Sequence, residues 1–390
     1  MEDALARAQE LISREEDELR LQLPPDTPIF DAHVHLGTDL DGMVGSIEEL
    51  TTIHRRYGIA RCFVFSLDEP DRHPSFSKPN DRTLAYAESS GGELIPFARL
   101  DLGEHPLEEA QRCLDLGARG IKLHPRAQGF LMNDERLEPI FALAAERRVP
   151  VLIHGGRGLP PIAGDLARLV ERHPDAQLIV AHAGIADLGG LARALGGKSG
   201  VFFDTSVWSP IDLLDFFRQI PPEQILYASD YPYGQQPSSL LITVRTARLA
   251  GLGEPALRLI LWGNANRIAG REPPLPPGQP HGTATITQSM AMARIHQYLS
   301  MATPMLWARQ PDTVGVLGLA LNACCESAEH PIEQERIGEL LSCARDLWHA
   351  LPEVERDRQR ELSRLTFRLI QLADIHALTS DTQPLYASSG

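Results

Sequence analysis

His33 and His35 stand two residues apart in the run FDAHVHLG. In an extended strand that spacing turns both imidazoles to one face. Lys122 and His124 repeat the spacing in GIKLHP, and single histidines close two further apolar runs, His154 in LIHGG and His182 in AHAG. Asp230 follows another apolar run, in SDYPY. Imidazoles and a carboxylate buried together need a compensating partner. A divalent cation is such a partner, and this donor set suits zinc, with iron, manganese or nickel as alternatives. Taken singly, each residue is weak evidence: a lone histidine at a strand end is more often structural, and Ser-Asp-Tyr-Pro is usually a capped turn. The signal lies in their recurrence at matching points of one repeat.

That repeat is a strand followed by a helix. The strand candidates are Ile29–His35, Arg61–Ser66, Leu94–Leu100, Gly120–His124, Val149–His154, Gln177–His182, Val201–Thr205 and Gln224–Asp230, each short and apolar. Amphipathic stretches such as Glu48–Tyr57, Leu107–Leu116, Glu135–Arg148 and Asp165–His173 lie between them. Alternating strands and helices imply a parallel sheet. Eight such units predict an α/β fold, a (β/α)8 TIM barrel whose strand C-termini meet at one mouth. A doubly wound open sheet is the alternative, but no G-x-G-x-x-G turn follows the first strand.

The barrel is expected over residues 28–271. Before it, residues 1–27 hold an N-terminal amphipathic helix with Leu5, Ala8, Leu11, Ile12, Leu19 and Leu23 at helical spacing, ended by Pro24-Pro25. After it, EPPLPPGQP at 272–280 is a proline-rich linker. Residues 281–390 predict an all-helical C-terminal extension, with Ile337, Leu340, Leu341, Ala344 and Leu347 on one face.

A net charge of −15 argues against a nucleic-acid partner or an acidic membrane surface, both of which select clustered cations. The five cysteines form no C-x-x-C spacing, so they are expected to be reduced thiols. The acidic N-terminus lacks the apolar core of a signal peptide, and no apolar run reaches the roughly 18 residues of a membrane helix. A cytoplasmic enzyme is the expectation.

The stretches FDAHVHLG, GIKLHP, LIHGG, AHAG, FDTS, SDYPY and GNANRI, in this order over residues 28–270, resemble the amidohydrolase superfamily. Within it they are similar to the amidohydrolase 2 branch, which holds hydrolases and non-oxidative decarboxylases of the aminocarboxymuconate semialdehyde decarboxylase type. The resemblance implies that His33, His35, His154 and Asp230 bind one divalent metal, Zn2+, with Fe2+ or Mn2+ as alternatives. It implies catalytic roles for Asp230, as proton acceptor, and for His182, as acid/base beside the metal. Binuclear relatives bridge a second metal with a carboxylated lysine. Lys122 occupies that position, although in this branch Lys122 and His124 fit better as pocket residues.

Arg126 and Arg157 follow the fourth and fifth strand candidates, where a guanidinium can fork onto a substrate carboxylate. Trp208 and Tyr231 follow the seventh and eighth as candidate pocket walls. Asp204 and Ser206 are candidates for orienting a ligand histidine. The expected activity is hydrolysis of a small amide, lactone or ester. Decarboxylation on the same scaffold is the first alternative, and a non-catalytic interaction protein working through its C-terminal helices is the second. A homodimer is the expected assembly.

Overall fold

The computed structural model describes residues 2–281, 288–308, 310, 313–326 and 330–380. Parts of the expected C-terminal segment, at 282–287, 309, 311–312, 327–329 and 381–390, lie outside the described residues.

A curled sheet of nine strands carries the fold, in the order β2-β1-β3-β4-β5-β6-β7-β8-β9. The strands are β1 (Ile29–Thr38), β2 (Val44–Gly45), β3 (Ile59–Ser66), β4 (Leu94–Arg99), β5 (Gly120–Leu123), β6 (Pro150–Ile153), β7 (Gln177–Val180), β8 (Val201–Asp204) and β9 (Ile225–Leu226). Only β2 is antiparallel to its neighbour, so the other eight strands direct their C-terminal ends the same way. Helices including Ser77–Ser89, Pro106–Asp115, Leu137–Arg147, Ala163–Arg172, Leu188–Leu195 and Pro210–Gln219 connect successive strands. Both faces of the sheet are buried. Phe30, Phe63, Phe65, Phe97, Leu152 and Phe202 cluster on one. Ile121, Leu123, Val151, Ile153, Leu178 and Val180 pack on the other, against the helices. Burial on both faces explains why the strands appear in the sequence as unbroken apolar runs.

β1 departs from simple alternation, and the departure matters. Phe30 and Ala32 share the inner cluster with Phe63 and Phe65. Val34 and Leu36 belong to the opposite cluster with Cys62 and Val64. Strict alternation from Phe30 would therefore send His33 and His35 to the outer face. The pairing of β1 with β3 shifts register between Asp31 and Val34. That bulge re-aims the strand, so both rings come to lie against Phe65, at 5.1 and 4.6 Å.

Most strands stop short of the sequence expectation. His124, His154, His182 and Asp230 sit just beyond their strands rather than at the last paired position. His182 and Asp230 have φ of 57° and 59°, a left-handed conformation that ends a ladder. The expected strand Gln224–Asp230 is accordingly reduced to Ile225–Leu226. The chain beyond it still bonds to β1: Ala32 N donates to Tyr227 O at 2.8 Å, Asp230 N to His33 O at 3.0 Å, and His35 N to Tyr231 O at 2.8 Å.

The N-terminal helix, Glu2–Gln22, buries Ala8, Leu11, Ile12 and Leu19. It packs on Pro331–Ala350, which with Met290–Trp307, Thr313–Cys325 and Arg356–Leu378 makes four C-terminal helices among the described residues. The last of these also packs on Pro210–Gln219 and on Ser238–Leu249, the helix after β9. Ile337, Leu340, Leu341, Ala344 and Leu347 are buried, as their spacing predicts. The same seam buries charge. Glu15 accepts Nε and Nη2 of Arg336, each at 2.7 Å, and faces His376 Nε2 at 2.8 Å. Arg245 donates to Glu18 at 2.9 Å and to Thr379 Oγ1 at 2.7 Å. Among the described residues no helix is long and apolar enough to cross a membrane.

Candidate metal centre

His33, His35 and Asp230 come together where β1 meets the turn after β9. His33 Nε2 lies 3.2 Å from His35 Nε2, and Asp230 Oδ1 lies 3.3 and 3.4 Å from the two nitrogens. All three side chains are buried. Asp31 ties the two segments together, its Oδ1 accepting Ser229 N at 2.9 Å and His33 N at 3.2 Å.

The protons of these rings can be assigned from their partners. His33 Nδ1 faces Asp204 Oδ2 at 2.8 Å, and His35 Nδ1 faces the Ser66 carbonyl at 3.4 Å. Both partners only accept, so each Nδ1 is the donor. Burial, aided by Lys122, pushes His33 down to about 3, and burial and His33 push His35 well below the usual histidine range. Both rings are therefore neutral at pH 7, with bare Nε2 lone pairs. Two such lone pairs and a carboxylate oxygen face one another without a donor common to all three. Lys122 Nζ, 3.2 Å from His33 Nε2, can serve that atom. A divalent cation serves all three. A tetrahedral cation with bonds of about 2.0–2.1 Å sets its donors about 3.3 Å apart, which is the spacing found. The trio fits a metal ion.

Around the trio, Asp204 is the organising anion. Its Oδ1 accepts His182 N at 2.8 Å and Ser206 N at 3.0 Å, and the Ser206 hydroxyl also donates to it. Burial pushes Asp204 up, but His33, His182 and Ser206 outweigh it and hold the carboxyl well below the usual range. Burial pushes Asp230 well above that range, while Lys122 opposes the shift. A cation in the trio would reverse the sign at Asp230. Lys122 is fully buried over the Phe65 ring, with Nζ 4.6 Å from the centroid, and burial lowers it to about 7.

His154 does not join the trio: none of its ring nitrogens lies within 4.8 Å of all three donors. Its Nδ1 faces His182 Nε2 at 2.9 Å, while His182 Nδ1 faces Ser206 O at 2.9 Å. The Ser206 carbonyl makes His182 Nδ1 a donor, which leaves His182 Nε2 to accept from His154 Nδ1. His154 Nε2 is then a bare, buried lone pair, and it has no protein hydrogen-bond partner. Gly156 leaves room for it, since a Cβ there would come within 2.9 Å of that nitrogen. His124 stacks on His154 at 4.0 Å and caps the short helix Pro125–Gln128 through Ala127 N at 3.2 Å.

The other expected pocket residues lie farther out. Arg126 is exposed at the rim. Arg157 is also exposed and is paired with Asp212 at 2.5 Å, a partner 55 residues away that no local pattern announces. Tyr231 is buried, and its hydroxyl accepts Ser46 N at 3.1 Å and reaches Glu49 Oε2 at 3.0 Å, so it braces the fold. Trp208 packs edge-on to Phe367 of the last helix at 5.6 Å.

Arg99 was missed. It ends β4 in register with Lys122, is 2 % exposed, donates to Ser66 O at 2.8 Å and leaves its Nε without a partner. The signal was available, because a basic residue closing the apolar run LIPFARL parallels the histidines closing the others.

An amidohydrolase family model matches residues 55–271, more than half of the chain. The protein belongs to the amidohydrolase family of enzymes. The match takes in His154, His182 and Asp230 and begins after His33 and His35. No curated protein matches the chain. Similar solved structures include an amidohydrolase II at 20% identity, covering 62% of this chain and 99% of that one, with a TM-score of 0.48. A 2,6-dihydroxybenzoate decarboxylase complexed with 2,6-dihydroxybenzoate is 16% identical over 62% of this chain and 98% of its own, TM-score 0.48. A putative 2-pyrone-4,6-dicarboxylic acid hydrolase from Pseudomonas putida is 18% identical over 63% and 98%, TM-score 0.49.

Proposed function

We propose that the protein is a metal-dependent hydrolase of a small organic molecule, an amide, lactone or ester. Its site would lie at the mouth of a (β/α)8 barrel spanning residues 28–271, with the segment 272–280 leading to a helical extension. The hydrogen bonds from β1 to Tyr227–Tyr231 support closure of the sheet into that barrel. The observation that carries the function is the meeting of two neutral imidazoles and a carboxylate, all buried, with bare acceptors 3.2–3.4 Å apart.

His33, His35 and Asp230 would hold the cation, for which zinc suits the donors best and iron or manganese are alternatives. When bound, the metal supplies Lewis acidity, which acidifies water and polarises a carbonyl oxygen. Asp230 accepts the proton at its carboxylate and returns it to the leaving group. Asp204 fixes the His33 tautomer. The His182–His154 pair presents a bare Nε2 on His154 to a donor in the site. Phe65 closes the floor beneath Lys122 and the two histidines and keeps it dry.

Turnover of amide, lactone and ester panels by metal-replete protein in oxygen-18 water tests the reaction. Solvent oxygen in the product acid is expected. Carbon dioxide release without that label would replace hydrolysis by decarboxylation.

A further inference from the structure

A cavity of about 330 Å³ lies beside the metal centre rather than within it. Its walls come from two sources. The turn Asp41–Val44 and the segment Pro232–Ser238 belong to the sheet end. Leu306, Trp348 and the face of the last helix from Arg360 to Gln371 belong to the C-terminal helices. Tyr233 is the wall the two sites share. Its ring stands perpendicular to His35 at 6.1 Å, and its hydroxyl reaches Asp39 at 3.1 Å.

The lining is positive and under-satisfied. Arg360, Arg364 and Arg368 follow one another at four-residue spacing, which places them on one helix face. Among the described residues Asp41 is the only carboxylate in the lining, and its Oδ1 already accepts Met43 N at 2.8 Å. Arg364 is paired with Glu49 at 3.3 Å, and Arg360 lies against Gly42. Arg368 makes no hydrogen bond or ion pair with any group among the described residues, and burial lowers its pKa. Tyr57, Glu49 and Glu16 are the acidic groups that act on it, and the two glutamates are bonded to Arg364 and Arg56 respectively. Gln235 is 7 % exposed, and its Nε2 has no partner. Gln371, 5 % exposed, adds a second amide to the wall. A buried amide donor left without an acceptor is costly to the empty fold, and the half-buried Arg368 beside it brings a guanidinium to the same wall. Trp348, Phe367, Leu306 and Met43 make the rest of the wall apolar.

We infer that this cavity binds a small organic carboxylate with an apolar, aromatic-sized body, its carboxylate on Arg368 and Gln235 and its body against Trp348 and Phe367. The planar fork of an arginine matches a carboxylate in two-pronged fashion, and the cavity volume lies in the range of small-molecule sites. The inference goes beyond the proposed hydrolysis, because it assigns the C-terminal helices a ligand and does not require the metal.

Calorimetric titration of 2-naphthoate against 2-naphthamide, its neutral isostere, tests it on the full-length protein. The acid is expected to bind one site per chain at least about tenfold more tightly than the amide, since a hydrogen bond to a charged group is at stake. Arg368→Gln and the isosteric Gln235→Glu are each expected to lower naphthoate affinity by about tenfold or more and leave naphthamide unchanged. The His33→Ala, His35→Ala protein is expected to bind naphthoate normally even if it has lost all activity. Equal binding of acid and amide, or full naphthoate affinity in Arg368→Gln, would overturn the assignment without any variant at the metal centre. Loss of naphthoate binding in the double-alanine protein would overturn it too, by placing the anion on the metal.

Discussion

The candidate metal centre and the helix seam both bury charge, and they settle it in opposite ways. In the seam, Glu15 meets Arg336 and His376, Glu18 meets Arg245 and Arg336, and Arg245 is completed by Thr379. Each of these charges has a protein partner. At the sheet end, His33, His35 and His154 each keep a bare Nε2, and the Asp230 oxygen faces two of them. Satisfied networks hold elements together; partly satisfied ones mark places where the fold waits for something from outside. The comparison separates charges that the fold satisfies by itself from acceptors that it leaves open.

Breaking the seam should therefore cost stability and leave chemistry alone. Glu15→Ala leaves His376 unpartnered and Arg336 with Glu18 alone, and is expected to destabilise by about 3 kcal/mol. Chemical denaturation should show that loss, while activity per folded molecule and metal content stay unchanged. A fall in metal content would merge the two regions that the comparison separates.

The seam also has a pH signature of known sign. Burial raises the Glu15 carboxyl, but His376 and Arg336 outweigh it and hold it at about 2 against an ordinary 4.5. Because burial itself lowers the His376 pKa, the lasting positive charge is that of Arg336. A carboxyl depressed in the folded state contributes stability above its unfolded pKa and loses it as pH falls through the folded one. The contribution, about 3 kcal/mol, should be complete above about pH 5 and vanish towards pH 2. The gap in unfolding free energy between the wild type and Glu15→Ala should accordingly shrink between about pH 5 and about pH 2. A constant gap would remove the ion pair from the explanation.

At the sheet end the smaller test is Asp204→Asn, which keeps the shape and removes the charge that fixes the His33 tautomer. Metal affinity should fall about 10- to 100-fold, with little change in stability, as measured by competition with a chelator. An unchanged affinity would show that Asp204 serves only the His182 turn.

Much of this division was legible in the sequence, for identifiable reasons. Ligand types recur at strand ends, and parallel strands bring their ends together, so His33, His35, His182 and Asp230 could be placed near one another without coordinates. The helical faces of Glu2–Gln22 and Pro331–Ala350 followed from their apolar spacing. What escaped depends on contacts far apart in sequence or on irregular backbone. The bulge at Asp31–Val34 decides which way His33 points, and alternation alone gives the wrong face. Arg157 meets Asp212 across 55 residues, a pairing that no local pattern announces. Glu15 sits on the buried face of an amphipathic helix because His376 and Arg336 meet it there. Arg360, Arg364 and Arg368 have a readable period, but only the cavity beside them gives that period a meaning.

The central claim is that the bare acceptors of His33, His35 and Asp230 exist to hold a metal ion. Elemental analysis of freshly purified protein, beside the His33→Ala, His35→Ala variant, tests it most directly. The account predicts about one divalent cation per chain in the wild type and none in the folded variant. A metal-free wild type that stays so after reconstitution, or a variant that keeps its metal, would contradict it.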